Sequence, residues 1–168
     1  MLGCDCKGYK DAWRLGLLFD PSGCEERTLM PVSNTTHALA LAGRILLAWL
    51  FIPAGIAKIA GFDGQVAYAA SAGLPWPQLG VFAGMALELV AGTMLLVGWH
   101  TRYAAAALAL FTVVAAAIFH AYWNLPADQA MMQKIMFDKN IAVAGGLLLA
   151  IAWGGGAWSV DGRRRLLH

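Results

Sequence analysis

The run from Pro77 to Gly98, PQLGVFAGMALELVAGTMLLVG, is apolar throughout except for Glu88 near its middle. At about 1.5 Å of rise per residue it can cross the roughly 30 Å hydrocarbon layer of a bilayer. A segment in that medium must satisfy its own backbone, which leaves helices and closed barrels. Gly80, Gly84, Glu88 and Gly92 recur at four-residue intervals, so the run reads as a helix with its one acid on a glycine ridge where a neighbouring helix can come close. Glu88 is therefore expected to face protein. An ionisable group at mid-membrane costs roughly 2.5 to 3.5 kcal/mol on insertion scales and needs a partner.

Three further runs have the same character. The first covers about Ala38 to Ala60, with Arg44, Ala48, Phe51, Gly55 and Lys58 on one face. Pro53 lies within it, where it removes the hydrogen bond to the Trp49 carbonyl and should kink the helix. The third covers about Arg102 to Tyr122. The fourth opens at Lys139 and Asn140 and fades at Trp153. Between the first two spans, FDGQVAYAASAGLPWP is too sparse in apolar residues to cross and reads as a short interfacial helix ended by Gly73 and the Pro75 to Pro77 turn. Between the last two, Met131, Met132, Ile135 and Met136 oppose Gln133 and Lys134, which predicts a second amphipathic stretch on the membrane surface.

The expected fold is an all-α, polytopic membrane four-helix bundle with short interfacial helices in the two outer loops. Composition agrees, since 60% apolar and 13% charged residues do not describe a soluble domain. A net charge of +2, carried at span ends, gives no support to nucleic-acid binding. Arg27, Arg44, Arg102 and Arg163 to Arg165 fall on the side of the termini, while Lys58, Lys134 and Lys139 fall opposite. That asymmetry predicts an inner-membrane protein with cytoplasmic N and C termini. The chain divides into an N-terminal cytoplasmic segment (1–36), a membrane domain (37–160) and a basic tail (161–168).

Residues 1–36 are turn-rich and carry all three thiols. Cys4 and Cys6 form a CxC pair, with Cys24 as the one further cysteine and no histidine nearby, a set too small for a metal site. Glu25 and Glu26 can be encoded by a ribosome-binding sequence upstream of Met30. Two readings stand: translation begins at Met30, or the segment is an ordinary cytoplasmic extension.

Taken in order, Gly43 and Arg44, then Phe51, Gly55 and Lys58, Glu88 with Gly92 and Gly98, Thr101 and Arg102, Phe119, His120 and Trp123, and finally Lys139 and Asn140 form a pattern that resembles the DoxX family of small bacterial four-span membrane proteins. The resemblance covers about Leu39 to Asp161, and residues 1–29 lie outside it. It implies a four-helix membrane bundle, with some relatives linked to quinone-coupled oxidation of sulfur compounds or to oxidative-stress complexes. No cofactor-binding signature marks the chain as an oxidoreductase on its own.

Folded antiparallel, the spans put Lys58, His120, Trp123 and Asn140 in an outer polar layer, and Arg44 and Glu88 deeper. For Glu88 the structural reading is a buried pair with Arg44 that fixes helix register; the functional one is a proton acceptor or relay. His120 either anchors at headgroups or, with Lys58, Trp123 and Asn140, offers donors and an aromatic surface to a lipophilic ligand such as a quinone. The preferred reading is a membrane subunit of a redox or stress-response system, with the electron donor on a partner protein. Its alternative is a non-catalytic scaffold or assembly factor that recognises lipid or a partner helix. No intrinsic cofactor and no metal are expected, and a homo-oligomer is compatible with both readings.

Overall fold

The computed structural model describes residues 34–165. The cysteines, the start proposed at Met30 and the final residues of the tail lie outside that range. Among the described residues six helices follow in order, α1 (Asn34–Ala60), α2 (Phe62–Ser71), α3 (Pro77–Val97), α4 (Thr101–Phe119), α5 (Ala127–Trp153) and α6 (Val160–Arg165), with a 3₁₀ turn (Tyr122–Asn124) before α5. Four of them, α1, α3, α4 and α5, are long and apolar enough to cross a membrane. The expected all-α polytopic bundle is the observed one.

The boundaries follow from local chemistry. Pro77 opens α3, where its missing N–H costs nothing. Gly98 closes it at φ 73°; its N–H bonds the Leu95 carbonyl and the Trp99 N–H bonds the Met94 carbonyl, a Schellman ending that needs a left-handed residue. Only Gly98, Trp99 and His100 then separate α3 from α4, so the two helices are antiparallel neighbours. The helix α1 begins at Asn34, inside the segment expected to be cytoplasmic, and runs through Pro53 to Ala60.

The fourth span departs from expectation. The methionine-rich stretch is helical, but it is continuous with the span that was to open at Lys139, as one helix of 27 residues. From Ala127 to Ala144 there is neither glycine nor proline, so once the helix is nucleated nothing interrupts its propagation.

Packing pairs α1 with α3 and α4 with α5 most extensively, α3 with α4 less, and α1 with α5 only lightly. Small residues set these approaches. A Cβ on Gly55 would lie 2.8 Å from Leu89 Cγ, and one on Gly92 would lie 3.1 Å from Ile52 Cγ1, so α1 and α3 touch nearly backbone to backbone. Phe51, Leu95, Leu108 and Leu147, set among alanines of α3 and α4, form the core.

Candidate functional site

Two polar centres occupy opposite halves of the bundle. In the first, Lys58 Nζ lies 2.9 Å from Glu88 Oε1 and 2.8 Å from Oε2. Glu88 is the closed partner, with 7% of its side chain exposed against 22% for Lys58. The expected pairing of Glu88 with Arg44 is therefore corrected. Gly55 sits against Glu88 Cβ, so α1 passes close enough for the lysine, one turn further on, to reach the acid. Depth counted along straight helices favoured Arg44 and missed this close approach.

Arg44 belongs to the second centre, at the end of the bundle where α1 begins. It is 3% exposed, and its guanidinium donates to the carbonyls of Leu96 at 3.3 Å and Trp158 at 2.5 Å. It thereby closes the C-terminal end of α3, where carbonyls lack helical partners and a positive charge is favourable. Arg102 does the same for α5, donating to the Ala152 carbonyl at 3.2 Å.

Asp161 completes this centre, and its role was not read from the sequence. Its Oδ1 accepts from the His100 N–H, and its Oδ2 from the N–H and hydroxyl of Thr101, each at 2.8 Å. The carboxylate caps the N-terminus of α4 from a distant part of the chain. A clue was present: a link of Gly98, Trp99 and His100 offers α4 no ordinary capping side chain, so an acceptor had to come from elsewhere. Ser159 Oγ and the His37 ring hold the same segment, through the N–H groups of Gly162 and Ala157.

Burial alone would push the Asp161 carboxyl up, but the hydrogen bonds from Thr101 and His100, with the His100 charge, outweigh it and hold the group below the usual carboxylate range. A carboxylate depressed in the folded state stabilises it fully above the unfolded value of about 3.9 and loses that contribution as pH falls through the folded value. Asp161→Asn is thus expected to cost about 1 kcal/mol at neutral pH and to flatten the acid limb of stability below about pH 5. Thermal unfolding in detergent between pH 3 and 7 measures both; an unchanged acid limb would contradict the assignment.

The remaining outer-layer residues are not drawn into one pocket. His120 Nδ1 lies 2.7 Å from Gln133 Oε1, and Asn140 Nδ2 donates to the Met136 carbonyl one turn back on its own helix. Trp123 packs edge-on against Tyr122 and Phe137 and lines a shallow cavity of about 390 Å³ with Gly73, Leu74, Ala117 and Asn124. Lys58, His120 and Asn140 do not border that cavity, and no hydrogen bond joins them. Among the described residues, no group of three or more His, Cys, Asp or Glu side chains could hold a metal ion.

A family model described as DoxX matches residues 39–121, a segment that includes Arg44, Lys58, Glu88 and His120. Inner membrane protein YphA of Escherichia coli K12 is 38% identical over 125 residues, 74% of this chain and 89% of that protein. Inner membrane protein YqjF of the same organism is 37% identical over 128 residues, 76% of this chain and 91% of that protein. A Surfeit locus protein 4 homolog of Schizosaccharomyces pombe is 28% identical over 135 residues, 79% of this chain but 40% of the relative. No solved structure matches.

Proposed function

The chain belongs to the DoxX family, and from that premise we propose that it is a bacterial inner-membrane subunit of a redox or oxidative-stress system that binds a lipophilic carbonyl compound, such as a quinone, at Lys58 and Glu88. The arginine-rich end, with both termini, then faces the cytoplasm. The observation that carries the reading is the Lys58 ammonium. It has three donors; two engage the Glu88 oxygens, and its side chain remains about one-fifth open. A third donor held in place at hydrocarbon depth suits a carbonyl oxygen, and Glu88 is positioned to hold a proton beside it. The protein supplies binding, orientation and charge, while a partner supplies the electrons.

Purification in mild detergent followed by organic extraction tests this. A quinone recovered near one per chain, and lost from a folded Lys58→Gln/Glu88→Gln double variant, is the expected result. Recovery of phospholipid alone would overturn it. The alternative of a non-catalytic scaffold has its own support, because Arg44, Arg102 and Asp161 each bond helix termini and act as fasteners. Under that alternative the extract contains no quinone and the double variant complements a deletion strain.

A further inference from the structure

No charged residue lies on the exposed faces of α1 and α3, and α4 exposes Arg102 only in its first turn, but α5 exposes Asp128, Lys134, Asp138 and Lys139. Within its apolar window, 11% of residues are buried, against 33% for the windows of α3 and α4, so α5 is the least covered span. Ile135, Asp138, Ala142, Gly145, Leu149 and Ala152 recur along it at alternating steps of three and four, and all are exposed.

Two contacts fix the depth of this stripe. The His120 to Gln133 bond ties the outer end of α4 to α5, and the Arg102 to Ala152 bond ties the inner end. The 19 residues of α4 between them span roughly 28 Å, close to the hydrocarbon thickness. Asp138 and Lys139 therefore lie on the membrane side of Gln133, roughly 8 Å below it. Lys134 bonds Asp138 at 2.6 Å, and Lys139 is exposed and, among the described residues, makes no hydrogen bond or ion pair. Lysines can extend toward headgroups along their apolar stems, but a short aspartate cannot. An aspartate on an outward face at this depth needs cover on the side away from Lys134.

We propose that this face of α5 is the interface of a homodimer, in which Asp138 of each copy accepts from Lys139 of the other. A second copy suits the surface better than an unrelated helix because the face is self-complementary. A two-fold axis along the membrane normal sets two α5 helices side by side and parallel. Asp138 and Lys139 differ by one residue of rise, so each reaches its counterpart reciprocally. The alternation of three and four residues is the period of a left-handed helix pair. At its centre Ala142 and Gly145 allow close approach, and a Cβ on Gly145 would meet nothing within 4 Å of its own chain.

The test is disulfide trapping in phosphatidylethanolamine and phosphatidylglycerol vesicles at high dilution, with Cys4, Cys6 and Cys24 each replaced by serine. Ala142→Cys should cross-link into a dimer. Leu110→Cys, at similar depth on the exposed face of α4, should not. Adding Asp138→Asn should weaken dimerisation at least tenfold, and adding Gly145→Trp should abolish it, with helical content and monodispersity in detergent retained in each. The proposal is overturned by equal cross-linking at Leu110→Cys, by no cross-linking at Ala142→Cys, or by dimers indifferent to Asp138→Asn and Gly145→Trp. Trapping of a different protein at Ala142→Cys in whole cells, with the purified chain monomeric, would also overturn it.

Discussion

Lys58→Met, with Glu88 left in place, is expected to destabilise the bundle by about 3 to 5 kcal/mol, the range measured when a buried pair loses one partner. Glu88 is the more enclosed member, 7% open, and without Lys58 its two oxygens lose both bonds drawn to them. Glu88→Gln should cost less, about 1 to 2 kcal/mol, because the amide oxygen can still accept from Lys58 and the lysine is the more open partner. The double variant Lys58→Met/Glu88→Leu should recover most of the loss, since a well-packed apolar replacement of a buried pair is often neutral. Unfolding in detergent by graded SDS, applied to the two single variants and the double, reads the coupling. Additive costs would mean the pair does not act as a unit.

The second large effect is expected at Gly98. Gly98→Val asks a β-branched residue to adopt φ 73°, a strain of about 1 to 3 kcal/mol. Its Cβ would collide with the Arg44 guanidinium and with Ser159 Cβ. Arg44 cannot give way without surrendering the Leu96 and Trp158 carbonyls, each a further cost of about 1 to 3 kcal/mol if left unpaired. Loss of the folded species in detergent is the expected outcome. Gly43→Ala is the matched control: a Cβ there meets nothing within 4 Å, and helix propensity should make it neutral or stabilising by up to about 1 kcal/mol. Equal behaviour of the two variants would contradict the account of Gly98.

The contrast between these positions shows what a linear reading captures. The spans were legible because apolar length and the punctuation at Pro77 and Gly98 are local properties. The bundle itself followed from the short link between α3 and α4. The identity of the partner of Glu88 was not legible: helix rise ranks depth, whereas reach depends on how closely two backbones pass, and that was decided by Gly55 facing Leu89. Arg44, assigned to the acid on charge and depth, was claimed by uncapped carbonyls, a demand every helix end makes and no count of charge or rise reveals. Asp161 was hidden for the same reason, since it answers a need that arises sixty residues earlier in the chain. The lipophilic-site residues diverged because Asn140 and His120 each found a nearer acceptor or donor than one another.

That sixty-residue separation has a consequence for biosynthesis. The N-terminus of α4 enters the bilayer before the carboxylate that will cap it has been made, and Arg44 is inserted before the Trp158 carbonyl exists. During that interval Thr101 and Arg44 must borrow partners from water or lipid headgroups at the membrane surface. The segment from Gly154 to Asp161 then replaces those borrowed partners together, so closure of this end follows synthesis of the fourth span.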